Sequence, residues 1–228
     1  MKNVFITLCL IFLGSSYALS QNCSKYYLIE ENATFQYTMY GKNGKSDGTI
    51  DYRVSDVNSD GSVTHAKMNM KVKDKKGKKV AESSYNLSCS GDKVTIDFES
   101  LLNSDMMAQF QDMEVEVTGT DIELPNELNV GQALPDASVS MQVAAGVTNI
   151  NMTVDMVNRK VEKKETLTTP AGTFECYVIY SDNKTKMMME RNFPSRMWLT
   201  EGVGMVKTEN YNQGGKLVSS TVLTAYSN

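Results

Sequence analysis

FQYTMYGKNGKSDGTIDYRV, residues Phe35–Val54, has the pattern of a strand, a tight turn and a second strand. Apolar residues recur at alternate positions on both sides of Gly44, which is the spacing of strands with one buried face. Glycine supplies the positive φ that a tight turn requires, and the lysines beside it keep the turn in water. The stretch therefore predicts an antiparallel hairpin.

Two more stretches repeat this pattern around turns at Lys75–Lys78 and Asn212–Lys216. Their irregular spacing argues against a solenoid and favours successive hairpins of one sheet. Further strands are predicted at Lys93–Phe98, Met113–Val117, Ser138–Val143, Asn149–Val157, Arg159–Leu167, Thr173–Tyr180 and Arg196–Leu199. Asn126–Asp136 contains Gly131 and Pro135 and is typical of a loop.

One helix is predicted at Glu99–Gln111, where Leu102, Met106 and Phe110 recur every four residues along one stripe. A helix this short needs a sheet to pack against. The sequence thus predicts a mainly β fold, which is a curved antiparallel sheet or open β-barrel of successive hairpins with one short helix packed on it.

The first residues, Met1–Ser20, have the pattern of a secretory signal peptide, with Lys2 ahead of the apolar run Val4–Leu13. We expect cleavage near Ser20 and a single β-rich domain over residues 21–228. The mature chain should be exported and soluble, in the periplasm or outside the cell. The sequence predicts no transmembrane segment in it, because no second apolar run approaches the roughly 20 residues that a membrane-spanning helix needs.

Export places the cysteines in an oxidising environment, where disulfides form. Cys23, Cys89 and Cys176 follow the predicted cleavage site. A bond between Cys23 and Cys89 would tie down a chain terminus that otherwise frays, so this pairing is preferred, although the sequence leaves the other two open. Gln21 and Asn22 fit poorly before a lipid-modified cysteine, so we expect no lipid on Cys23.

Charge and side-chain content narrow the classes of function. The formal net charge of −4 argues against nucleic-acid binding. His65 is the single histidine and lies on the polar face of a predicted strand, so no catalytic residue is assigned. Asp56–Asp60 resembles part of a calcium loop, but Lys67 stands where the twelfth position needs a carboxylate. We therefore predict no metal site and no cofactor.

Methionine is the most unusual feature of the composition, with 15 in the chain. Its flexible side chain lets a pocket repack around varied apolar ligands, and it also fills ordinary cores. The sequence therefore leaves two interpretations open, a concave face lined for a ligand or a filled core. The candidate lining residues are Leu102, Met106, Phe110, Met141, Met152 and Met156.

Three segments together resemble a known family. They are YNLSC (Tyr85–Cys89) followed by VTIDF (Val94–Phe98), TTPAGTFECY (Thr168–Tyr177), and WLTEGVGMVK (Trp198–Lys207) followed by YNQGGK (Tyr211–Lys216). They are similar to the TapB-like family, which are exported Bacteroidota proteins of unknown function. The resemblance implies export, and it carries over no catalytic residue because the family has none assigned.

The expected function is that of a non-enzymatic exported envelope protein that binds an apolar or lipid-like ligand in the concave face of its sheet. The alternative is an envelope protein–protein interaction module with a filled core. Such a module would contact its partner through a sheet edge or through the charged segment Ser181–Asn192. We expect that segment to be a long hairpin tip or a mobile flap. A hydrolase is the third hypothesis, and it requires a cluster of catalytic groups around His65.

Overall fold

The computed structural model describes residues 23–102, 113–145, 148–187 and 189–228. In these residues thirteen strands form one antiparallel sheet, and Phe98–Leu101 forms one turn of 3-10 helix. The strands are β1 (Thr34–Gly41), β2 (Ser46–Asp60), β3 (Val63–Asp74), β4 (Lys79–Ser90), β5 (Lys93–Ile96), β6 (Val115–Thr120), β7 (Ile122–Pro125), β8 (Ala137–Ala145), β9 (Thr148–Thr169), β10 (Gly172–Lys186), β11 (Glu190–Thr200), β12 (Gly204–Tyr211) and β13 (Leu217–Ser227). The mainly β prediction is confirmed.

The sheet curls until its two edges meet. Its order is β6-β8-β9-β10-β11-β12-β13-β1-β2-β3-β4-β5-β7, so β6 and β7 are the edge strands. Only Asp121 separates these two strands along the chain. The edges must therefore lie next to each other, and the sheet forms a nearly closed, barrel-like wall. We call the junction of β6 and β7 at Asp121 the seam.

The 3-10 helix lies at the seam, because it contacts β4 on one side and β6 and β8 on the other. The ring of Phe98 occupies the place where a side chain on Gly119 would stand. The backbone N–H of Phe98 donates a hydrogen bond to Asp121 Oδ1 at 3.0 Å. Gly119 thus leaves room for the Phe98 ring, and Asp121 holds the Phe98 backbone, so the ring closes the gap between the two edges.

The three predicted hairpins are present as β1–β2, β3–β4 and β12–β13. Gly44 and Gly77 adopt φ of 70° and 80°, which explains why these turns require glycine. The segments TTPAGTFECY and WLTEGVGMVK contain the turns of the β9–β10 and β11–β12 hairpins. These motifs therefore specify the fold.

The predicted strands Asn149–Val157 and Arg159–Leu167 are in fact one strand, β9. Between them, Asn158 has φ of 56°, a left-handed conformation that asparagine tolerates. The register of β9 against β10 shifts at this point. The prediction of two strands is wrong because a β-bulge bends a strand and re-aims its side chains without ending it.

The segment Ser181–Asn192 is mostly sheet, so its interpretation as a mobile flap is wrong. The β10–β11 ladder extends to the pair Lys186 and Glu190, so the segment belongs to a long hairpin. β7 was not predicted from the sequence. It is only four residues long and ends in Pro125, which an edge strand accommodates because one side of its backbone needs no partner.

Two predictions fall largely on residues that the structure does not describe. The predicted signal peptide lies within residues 1–22, and most of the predicted helix lies within residues 103–112. The start of that predicted helix is described, and it forms the 3-10 turn.

Residues 23–33, ahead of β1, pack into the core. Tyr26 is buried and joins a cluster with Leu124, Val161 and Leu199. The backbone is also held by hydrogen bonds, since Asn126 Nδ2 donates to the carbonyl of Cys23 at 2.8 Å. This segment therefore joins β7 and the β11–β12 turn to the body of the sheet.

Cys23 and Cys89 are joined by a disulfide, the pairing preferred from the sequence. Their Cα atoms lie 5.9 Å apart, and the bond fixes the segment ahead of β1 to the end of β4.

Cys176 is a free, buried thiol on β10. Burial raises the pKa of the Cys176 thiol to about 11, so little of the reactive thiolate forms at neutral pH.

We expect reduction of this disulfide to lower the free energy of unfolding by about 2–4 kcal/mol, because the bond restricts the unfolded chain. Urea unfolding with and without reductant measures the loss. Cys89→Ser should show no further loss on reduction, whereas Cys176→Ala should keep the full response. An unfolding midpoint of the unaltered protein that is insensitive to reductant would contradict this stabilising role.

Candidate ligand cavity

The curled sheet encloses a cavity of about 610 Å³. Nine of its strands, the 3-10 helix and the segment ahead of β1 contribute to its wall, so the cavity lies at the centre of the fold. Its apolar lining consists of Tyr27, Tyr52, Met70, Tyr85, Ile96, Leu102, Ile122, Met156, Ile179, Met197 and Met205. This apolar part of the wall is mostly aromatic rings and flexible methionine side chains, both suited to contact with an apolar molecule.

Tyrosines form one part of the wall. Tyr27, Tyr52 and Tyr85 line both the main cavity and a smaller adjoining one of about 120 Å³. Tyr37 packs edge-to-face on Tyr52, with ring centroids 5.6 Å apart, and its hydroxyl donates to the carbonyl of Met205 at 2.8 Å. Burial raises the pKa of Tyr27 and of Tyr52 to about 12, so this part of the wall stays uncharged at neutral pH.

A polar strip follows β10 and β11 along another part of the wall. Ser181 and Ser195 share a hydrogen bond of 2.8 Å between their hydroxyls, and Asn183 Nδ2 donates to Ser195 Oγ at 2.9 Å. Arg196, also in the lining, is held by Glu162, with Nε to Oε2 at 2.6 Å. These groups satisfy one another within the protein.

Arg159 is the charged group buried most deeply in the wall, with 3% of its surface exposed. The bulge at Asn158 explains why Arg159 is on the inner face of the sheet. Met156 and Arg159 both line the cavity, although strict alternation along a strand would place residues three apart on opposite faces. The bulge changes the phase of β9, so that Arg159 and the buried Val161 follow Met156 toward the interior.

The structure separates the residues predicted to line a ligand site. Leu102 and Met156 do line the cavity. Met141 and Met152 pair directly across β8 and β9 and form a small buried cluster with Val143, against which Leu102 packs; neither methionine is in the described lining. The predicted lining residues Met106 and Phe110 lie outside the described residues.

The sequence prediction missed the tyrosines and Arg159. Tyr27 lies ahead of β1, and Tyr52 and Tyr85 lie in separate hairpins, so nothing local in the sequence marks them as neighbours. Arg159 did leave a signal, because the apolar alternation uses even positions up to Met156 and odd positions from Val161 onward. Such a change of phase across an asparagine is typical of a bulge and identifies the residue that it turns inward.

Other candidate groups stand apart from this cavity. His65 is exposed on β3. Within the described residues no cluster of three or more His, Cys, Asp or Glu side chains could hold a metal ion. In the same part of the chain, no helix is long and apolar enough to cross a membrane.

Comparison with known families gives one match that spans most of the chain. The family model described as DUF3108-like matches residues 30–223, a range that reaches from the segment ahead of β1 into β13. The narrower TapB-like name suggested by the three motifs stays a prediction. No curated protein matches the sequence.

Two crystal structures share the fold. One is a Bacteroides fragilis protein of YmcC-like fold, inferred to be exported, with a TM-score of 0.72 and 20% identity, covering 90% of this chain and 100% of its own. The other is a Parabacteroides distasonis protein, inferred to be a lipoprotein, with a TM-score of 0.74 and 22% identity over 91% of this chain and 100% of its own. Identities this low establish the shared fold alone.

The partly buried tyrosines of the wall, Tyr27 and Tyr52, give the fold a defined response to alkali. Their folded pKa of about 12 lies above the ordinary value of 10.0, so the unfolded chain loses these protons first. We expect the free energy of unfolding to hold up to about pH 10 and to fall as the pH rises toward about 12. Urea unfolding across this range should show a shallower fall for Tyr52→Phe than for the exposed control Tyr226→Phe. Equal slopes in the two variants would contradict the burial of Tyr52.

Proposed function

The chain belongs to the DUF3108-like family, and we propose that it is a non-enzymatic exported protein that binds an apolar or lipid-like ligand inside its curved sheet. The observation that carries this proposal is the cavity of about 610 Å³ at the centre of the sheet. Its volume lies within the range of about 300–1,000 Å³ that is usual for small-molecule sites.

The wall chemistry supports an apolar ligand of variable shape. Met70, Met156, Met197 and Met205 reach the cavity from four different strands. Methionine side chains adjust to irregular apolar shapes with little strain. Rigid tyrosine rings opposite them supply contact area at low entropic cost.

Three observations support export. The sequence predicts a signal peptide over Met1–Ser20. The disulfide between Cys23 and Cys89 is a bond that persists in oxidising compartments. Two proteins of the same fold are inferred to be an exported protein and a lipoprotein. Together they favour the bacterial envelope or the extracellular space.

A second candidate function is an envelope protein–protein interaction module. The observation that favours it is the β10–β11 hairpin tip, where Met187 and Met189 are 51% and 71% exposed. Exposed methionines offer an adaptable apolar contact to a partner. Under this alternative, the double change Met187→Lys and Met189→Lys should abolish crosslinks to the partner in cells, and crosslinks that persist would exclude the tip.

Filling the cavity tests the ligand-binding proposal. Met197→Trp places a larger ring at a position that already lines the cavity, so it should remove co-purifying lipid. Met189→Trp makes the same substitution at the exposed hairpin tip and is the matched control. The measurement is native mass spectrometry of protein exported by bacteria and purified without detergent, followed by lipid analysis of the extract.

We expect bound lipid in the unaltered protein and in Met189→Trp, and a loss of at least about tenfold in Met197→Trp. Circular dichroism should show the same β content in all three proteins. Unaltered protein that carries no lipid and also binds none when it is offered would overturn the proposal.

A further inference from the structure

Arg159 is a buried cation whose charge the protein leaves uncompensated. Its guanidinium donates from Nη1 to the backbone carbonyls of Glu123, at 3.1 Å, and Pro135. Its Nε is buried and has no hydrogen-bond partner among the described residues. Backbone carbonyls satisfy donors but carry no net charge, so the positive charge remains.

The nearby carboxylates do not neutralise it. Glu123 and Asp136 are close enough to act on Arg159 through space, yet in the described part of the chain neither forms an ion pair with it. Glu123 forms its ion pair with Lys93 instead. Guanidinium stays protonated in proteins, and an unpaired charge out of water is costly, so such a site favours an anion.

Arg196, in the same wall, differs from Arg159 because a carboxylate compensates its positive charge. Its guanidinium meets both carboxylate oxygens of Glu162, at 2.6 and 3.2 Å. Two carboxylates also line the cavity, but Glu82 and Glu99 are solvent-exposed, and Glu82 is paired with Lys79. The buried part of the wall therefore presents one free positive charge beside apolar side chains.

We infer that the cavity takes an anionic amphiphile, whose carboxylate or phosphate head group accepts hydrogen bonds from Arg159 while its hydrocarbon chain lies against the tyrosines and methionines. This inference rests on the proposed function and narrows it from apolar ligands in general to those with one negative end. The Arg159 guanidinium supplies the charge and its Nε has no partner within the described residues, while Tyr27 and Met156 of the same lining supply apolar contact for the first part of the chain.

The test compares dodecanoate, dodecyl phosphate and dodecanol, below their micelle concentrations, by isothermal titration calorimetry. The three probes share one hydrocarbon chain and differ in head group. We expect the two anions to bind at least about tenfold more tightly than dodecanol, because a hydrogen bond to a charged partner is worth about that factor. The phosphate and carboxylate arms also tell a phospholipid-type head group from a fatty-acid one.

Substitutions test whether Arg159 is responsible for the preference for anionic head groups. Arg159→Gln should lose the tenfold preference for the anions over dodecanol, whereas the exposed control Arg191→Gln should keep it. Where Arg159→Gln fails to fold, the comparison of probes on the unaltered protein still decides. Equal affinity for all three probes would overturn this inference and leave the proposed function standing, while binding of none would overturn both.

Discussion

The closure of the sheet at the seam is the constraint on which the rest of the structure depends. A single residue, Asp121, joins the two edge strands, so the chain has no slack with which to leave the sheet open. Arg159 reaches across the same region from β9 and binds the carbonyl of Glu123 on β7 and that of Pro135 ahead of β8. One buried guanidinium thus links parts of the chain that lie near opposite edges of the sheet.

A cavity follows from closure combined with bulges. A sheet of thirteen strands that closes on itself encloses more space than its own side chains fill, as larger barrels do. Part of that space is packed by the segment ahead of β1, through Tyr26 and its neighbours. The remainder is the cavity, and the bulge at Asn158 places a cation in its wall. Arg159 therefore both links the strands near the seam and gives the cavity its charge.

The hairpins could be predicted from the sequence because their information is local. Alternating residues and a glycine turn specify β1–β2 without reference to the rest of the chain. The closure could not be predicted in this way, since β7 is four residues long and its partner strand β5 lies about thirty residues earlier. The Cys23–Cys89 disulfide could be predicted because a loose chain terminus needs to be secured, and this reason holds in any fold.

The candidate site was only partly predictable for the same reason. Methionine content suggested an apolar site, yet whether a given methionine lines a cavity or fills a core depends on strand curvature and register. Met156 faces the cavity, whereas Met152, four residues earlier on the same strand, lies in a filled cluster. The alternation of apolar residues is the same for both.

The central claim is that closure leaves an open cavity with an uncompensated arginine in its wall. A high-resolution crystal structure of protein purified from its exporting host without detergent tests this most directly. The account predicts elongated density in the cavity, with its polar end within hydrogen-bond distance of the Arg159 guanidinium. A cavity filled by the protein's own side chains, with Arg159 Nε bound to one of its own carboxylates, would contradict it.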